Sequence, residues 1–302
     1  MMKTVNKTIR TALPVAFCLA LIASCNNPNR QSDQDTAGGE DSTAVEPSLT
    51  QIWKTDSVFT GSESTLYDPE NNIIYVSCGN TDPGAKDGDG FIARLNPDGS
   101  TAGLKWVEGL HAPKGMALLD GKLYVTDVDA VKIIDVAGAS IEKTIPVEGA
   151  QFLNDLATDG TLAYFSDSRS GVIYSLDLEG TVTPIIENAM GVNGLECARG
   201  KLYSLDKEGL KVYEGAGYTP TLINSTVTGG DGLVILDDST FVASRWSGEV
   251  YLVNGSEATL LLDTKAEKSN TADIGYIQDE QLVTVPTFMK NEVAAYKLEG
   301  VK

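Results

Sequence analysis

Glu63, Lys114, Asn154, Asn193, Asp231 and Ala272 stand at one phase of a sequence repeat, and four of the six offer an oxygen that can bind a metal ion. From Lys114 onward the copies follow at intervals of 40, 39, 38 and 41 residues. Two carboxylates and two amides, with no thiol or imidazole among them, select a hard cation. A wide, hydrated channel mouth suits Ca2+ better than magnesium. Glu63 and Asp231 would balance its charge. A lone Asn-Gly or Asp-Gly is usually a tight turn, because both residues tolerate turn dihedrals. Four such residues in phase exceed what turn preference alone supplies. Lys114, in the same row, would reach toward Glu63 or Asp231, stabilise an oxyanion, or neutralise a crowded acidic mouth.

The stretch from Gln151 to Asp177 shows which elements position this row. It reads as three short strands, each rich in aliphatic and aromatic residues and bounded by Gly, Asp or Ser. The pattern recurs five more times, starting at Glu63, and a repeat near forty residues with few helix signals predicts an all-β fold, a six-bladed β-propeller. The first strand of each propeller blade lines the central channel, so residues at one phase near its start converge at one mouth. A further run precedes each following copy: Leu104 to Val107, Ile141 to Val147, Val182 to Ile186, Thr219 to Ile223 and Leu260 to Leu262. Leu49 to Phe59 stands in the same relation to the first copy. It is expected to be the outer strand of the last blade, closing the ring without an exposed edge. Asp127, Asp167 and Asp206, each three residues after an aligned tyrosine, are expected to accept backbone N–H groups at turns.

Residues 1–24 carry Lys3, Lys7 and Arg10 before an apolar run, as a secretory signal does. The run ends in Ile22-Ala23-Ser24-Cys25, similar to a bacterial lipobox with Cys25 as the site of lipidation. Residues 25–48 are too polar to bury a core and read as a disordered tether, leaving 49–302 for the propeller. The expected location is the bacterial cell envelope, with the membrane reached through the lipid anchor only. A formal net charge of −19 argues against nucleic acid and against direct adsorption to anionic lipid. The expected state is a monomer whose partner is a small molecule. Cys78 and Cys197 fall on opposite sides of the ring and should be free thiols. Neither a phosphate-binding loop, a G-x-S-x-G elbow nor an H-E-x-x-H pair occurs. The acidic, Gly-rich insertion from Asp82 to Asp89 reads as a solvated hairpin or an external calcium loop. The single histidine, His111, reads as a solvated turn residue.

Glu63-Ser64-Thr65-Leu66-Tyr67-Asp68-Pro69 with Ile74-Tyr75, then Asn154-Asp155, Asn193-Gly194 and Asp231-Gly232, resemble the motifs of the senescence marker protein and gluconolactonase family. Those are calcium-dependent six-bladed propellers, and the resemblance spans about residues 50 to 300. It implies Glu63, Asn193 and Asp231 as calcium ligands, with Asn154 ligating the metal or orienting substrate and water. Asp231 would double as general base in the hydrolysis of a lactone or ester. The chain departs from the pattern in lacking the Gly-Pro after Glu63 and an acid at Cys78. It also has Phe152 in the substrate-binding place where sugar lactonases often carry Arg. Three functions follow as expectations: a calcium-dependent hydrolase, a ligand- or protein-binding propeller with a structural calcium, and a scaffold without metal. Fold alone does not choose among them.

Overall fold

The computed structural model describes residues 45–301. The expected signal, Cys25 and most of the tether lie outside the described residues. Strand β1 (Ser48–Lys54) opens the described chain, one residue earlier than the sequence suggests. The first blade follows as β2 (Ser62–Asp68), β3 (Ile73–Cys78), β4 (Gly90–Leu95) and β5 (Thr101–Leu110). The second is β6 (Pro113–Leu119), β7 (Lys122–Asp127), β8 (Ala130–Asp135) and β9 (Ser140–Pro146). The third is β10 (Leu153–Thr158), β11 (Ala163–Asp167), β12 (Val172–Leu176) and β13 (Val182–Ile186). The fourth is β14 (Leu195–Ala198), β15 (Lys201–Leu205), β16 (Leu210–Glu214) and β17 (Thr219–Asn224). The fifth is β18 (Leu233–Ile235), β19 (Thr240–Arg245), β20 (Glu249–Asn254) and β21 (Glu257–Asp263). The sixth holds β22 (Gly275–Ile277), β23 (Leu282–Pro286) and β24 (Val293–Glu299), and takes β1 as its outer strand.

All six sheets are four-stranded and antiparallel, so the chain is a six-bladed β-propeller. Ser48 pairs with Glu299 and Lys54 with Ala294, which stitches the start of the domain to its end as the repeat phase requires. Thr55 to Phe59, the end of the run expected as strand, instead belong to the connection into the first blade. The innermost strands β2, β6, β10, β14, β18 and β22 touch in cyclic order.

The core is divided into six apolar layers, one between each pair of neighbouring blades. Blades one and two pack Tyr75, Ile92 and Leu110 against Met116, Leu123 and Ile134. The joint between the last and first blades is built alike, with Phe59, Ile74 and Phe91 against Leu282, Val293 and Ala295, and Trp53 of β1 packed on its flank. Each fully buried aliphatic side chain stabilises the fold by roughly 1.5–3 kcal/mol. The layers therefore hold the blades in fixed relation and set where the innermost strands meet. Cys78 and Cys197 are free thiols, as their placement in β3 and β14 requires.

Candidate functional site at the channel mouth

The row of candidate ligands sits where the innermost strands are irregular. Register shifts fall between Ser62 and Ser64, between Pro113 and Met116, and between Leu153 and Leu156, at Glu63, Lys114 and Asn154 respectively. Such a bulge breaks strict alternation and re-aims side chains. Asn193 and Asp231 precede β14 and β18 yet are pinned alike, by N–H bonds to the carbonyls of Leu205 and Ser244. Hydroxyls on the second strand of a blade fill the irregularities. The N–H groups of Ser64, Asp155 and Gly232 donate to Ser77, Ser166 and Ser244 Oγ at 2.9, 3.0 and 2.7 Å. Ser166 Oγ then donates to the Asn193 carbonyl at 2.8 Å and Ser244 Oγ to that of Ala272 at 2.7 Å, each in the next blade. Thr126 donates likewise to the Asn154 carbonyl. Glycine is required where neighbouring strands close in: a Cβ on Gly194 would lie 2.1 Å from the Asp231 carbonyl oxygen.

Glu63, Asn154 and Asp231 are buried, at 7%, 6% and 2% exposure. Asn193 Nδ2 donates to Asp231 Oδ1 at 2.9 Å, and Asn154 Nδ2 to Ser168 Oγ at 3.0 Å. Two oxygens of the group, Glu63 Oε2 and Asn193 Oδ1, are buried with no hydrogen-bond partner. An acceptor in that state costs about 1–3 kcal/mol or more. Burial pushes the Glu63 carboxyl from 4.5 up to about 7, against the pull of the Lys114 charge and with the repulsion of Asp273. Burial, then the Glu63 charge, holds Asp231 well above the usual carboxylate range, while the Asn193 amide opposes the shift.

This donor set fits a hard divalent cation. Two carboxylates raise each other's affinity for positive charge, and two orphaned oxygens await a partner. Among the described residues no three His, Cys, Asp or Glu side chains form a metal-binding group. The amides of Asn154 and Asn193 are therefore necessary members of any site here. Ala272, sixth in the row, contributes no side-chain oxygen.

Lys114 lies fully buried in the same row, but its ammonium turns aside. Nζ donates to the carbonyls of Pro83 at 2.7 Å and Ala112 at 2.9 Å and sits 4.8 Å from the centre of the Phe152 ring. Its charge reaches Glu63 through space, and burial lowers its pKa. Arg169 packs its guanidinium on the same phenyl ring at 4.6 Å. The connection between β3 and β4, which contains Pro83, thus reaches the Lys114 ammonium. Asn80, Asp82 and Asp87 are spent there on its own N–H groups, and His111 Nδ1 accepts from Gly88 N at 3.1 Å. The histidine is a loop anchor, not the solvated turn residue expected. Asp167 and Asp206 accept turn N–H groups as expected. Asp127 instead takes those of His111 and Ala112, before β6.

A second tier of acids, unforeseen in the sequence, lies one step deeper. Asp155 and Asp273 approach each other at the waist of the channel, with Ser64 Oγ donating to Asp273 Oδ2 at 2.5 Å. Burial raises Asp273 to about 6, opposed by its bonds to Ser64 and Asp155, and holds Asp155 well above the carboxylate range. Glu196, on the channel wall, is pushed to about 7 by desolvation. These three line a cavity of about 390 Å3 that extends past Leu66 to Arg199 and Gln278, away from the mouth. Glu63, Asn154, Asn193 and Asp231 do not line it. The signal for this tier was present as the Asn154-Asp155 and Ala272-Asp273 pairs.

No protein-family model matches this chain, and no curated protein sequence matches it. Solved structures do. A candidate gluconolactonase is similar over 84% of this chain and 92% of its own, with 17% identity and a TM-score of 0.62. A catalytically inactive variant of virginiamycin B lyase from Staphylococcus aureus, solved with quinupristin, is similar over 83% of this chain and 99% of its own, with 11% identity and a TM-score of 0.56. At such identities the likeness is one of fold. The chain, itself six-bladed, shares a β-propeller fold with a candidate gluconolactonase and with a lyase.

Proposed function

We infer that the protein is a calcium-dependent hydrolase of a lactone or ester, acting at the channel mouth where Glu63, Asn154, Asn193 and Asp231 converge. The observation that carries this reading is the pair of buried, unpartnered oxygens, Glu63 Oε2 and Asn193 Oδ1, beside the buried Asp231. Glu63, Asn193 and Asp231 would hold the ion, with Asn154 completing the set. Bound there, calcium would polarise an acyl carbonyl and offset the two negative charges. Asp231, oriented by Asn193 Nδ2, takes the proton of the attacking water. Lys114 keeps a fixed positive charge beside the site, which favours the developing oxyanion. Phe152 gives the substrate an apolar surface in place of a hydroxyl-binding group. The likeness in fold to a candidate gluconolactonase is consistent with this chemistry. The same reading places the protein in the bacterial envelope, anchored at Cys25, as a monomer with a small-molecule substrate.

One observation favours a second reading, a ligand- or protein-binding propeller with a structural calcium: the four residues lie apart from the 390 Å3 cavity. A panel of sugar, aliphatic and aromatic lactones and esters separates the two. The hydrolase reading expects turnover that disappears on calcium removal and falls about a hundredfold or more in Asp231→Asn. Calcium binding without turnover of any member would leave the binding module.

A further inference from the structure

Arg169 is a free guanidinium at the mouth of an acidic protein. It is exposed, in the connection between β11 and β12, and the chain carries a formal net charge of −19. Yet among the described residues its side chain makes no ion pair within 4.0 Å, and only its backbone N–H, held by Asp167, is hydrogen-bonded. The guanidinium instead packs on Phe152 at 4.6 Å, with Lys114 Nζ 4.8 Å from the same ring. Packing on the ring leaves the five N–H donors of the guanidinium unspent. The two cations differ in commitment. Lys114 spends its protons on Pro83 and Ala112 and is buried, whereas Arg169 spends none. Arg169 also follows Ser168, whose hydroxyl fixes the Asn154 amide at 3.0 Å, so the free fork stands one residue from a contact to the candidate ligand row.

We propose that Arg169 is the specificity-determining residue of this mouth, and that the substrate is a lactone or ester carrying a second, anionic group, a carboxylate, beside the acyl group to be cleaved. The proposal rests on the hydrolase reading above and adds the substrate class. A carboxylate matches the guanidinium fork in a bidentate manner, and Phe152 packs against that fork while offering its edge to the carbon skeleton. The paired cations also set a positive potential above an interior of buried acids, which favours anionic over neutral ligands at the mouth.

The test compares γ-butyrolactone with the same ring carrying a carboxylate on the carbon next to the ring oxygen, using the full-length chain in calcium. The expected result is a kcat/KM preference for the carboxylated ring of about tenfold or more, expressed mainly in KM. Arg169→Ala should lower that preference about tenfold, and Arg169→Lys should recover part of it, because a point charge replaces a fork. A wild-type ratio at or below one, or a ratio unchanged in Arg169→Ala, overturns the proposal. Failure of the hydrolase reading itself appears differently, as no turnover of either ring. Binding of cyclopentanecarboxylate, read by calorimetry against cyclopentanol, then decides: carboxylate binding lost in Arg169→Ala sustains the anion site, and no carboxylate binding to the parent overturns it.

Discussion

A carboxyl oxygen buried without a donor, as Glu63 Oε2 is, destabilises the fold unless the group takes up a proton or a cation. Without metal it takes the proton, which gives the protein a pH signature. Glu63 and Glu196 rise from 4.5 to about 7, and Asp273 rises from 3.8 to about 6. Because each folded-state value lies above the unfolded one, the folded protein binds more protons and their contribution is complete below about pH 4. It is lost as pH climbs through 6 to 7. Metal-free protein should therefore show a melting temperature that falls from pH 5 to pH 8, with a shallower fall in Glu63→Gln. Thermal melts across that range in chelator check this, and a rise over the same range would contradict it. Calcium should remove the share of the alkaline loss that Glu63 carries, since the ion replaces the proton as its partner, and leave the share of Glu196 and Asp273.

At the scale of elements, irregular starts of the innermost strands place the candidate ligands, Glu63 and Asn154 in bulges and Asn193 and Asp231 just before their strands. Hydroxyls of the second strands bond the N–H groups beside them. Ser166 shows the connection most plainly, accepting from Asp155 N and donating to the Asn193 carbonyl of the next blade. Ser166→Ala removes both bonds and leaves the Asp155 N–H without its acceptor, at a cost of about 2 kcal/mol. For a domain of this size that lowers the melting temperature by roughly 4–8 °C, measurable in the same melts. The first tier of the site was legible in the sequence because every blade repeats one geometry, so equal phase means equal position around the channel. The second tier was not. In a regular strand Asp155 would point to the opposite face from Asn154, and only the bulge between Leu153 and Leu156 cancels that alternation. Nor could the repeat show where the Lys114 ammonium turns, because its carbonyl partner Pro83 comes from a connection in another blade.

At the scale of the whole molecule, ring closure is what brings the candidate ligand residues to one end of the channel. Glu63, Asn154, Asn193 and Asp231 come from blades one, three, four and five, and nothing brings them together until β1 pairs with β24 and the six apolar layers fill. That closure was readable beforehand, since Leu49 to Phe59 is an outer-strand run lacking the rest of its own blade, and only its last residues turned out to be connection. A ligand bound only by the closed ring stabilises it by about 2.7 kcal/mol at a hundredfold excess over Kd. The most direct measurement is calorimetric titration of calcium into metal-stripped protein, with Glu63→Gln and Asp231→Asn alongside. A saturable site is expected in the parent, accompanied by a higher melting temperature, with both effects lost in each variant while the metal-free fold persists. No binding to the parent at millimolar calcium, or binding that survives both substitutions, would contradict it.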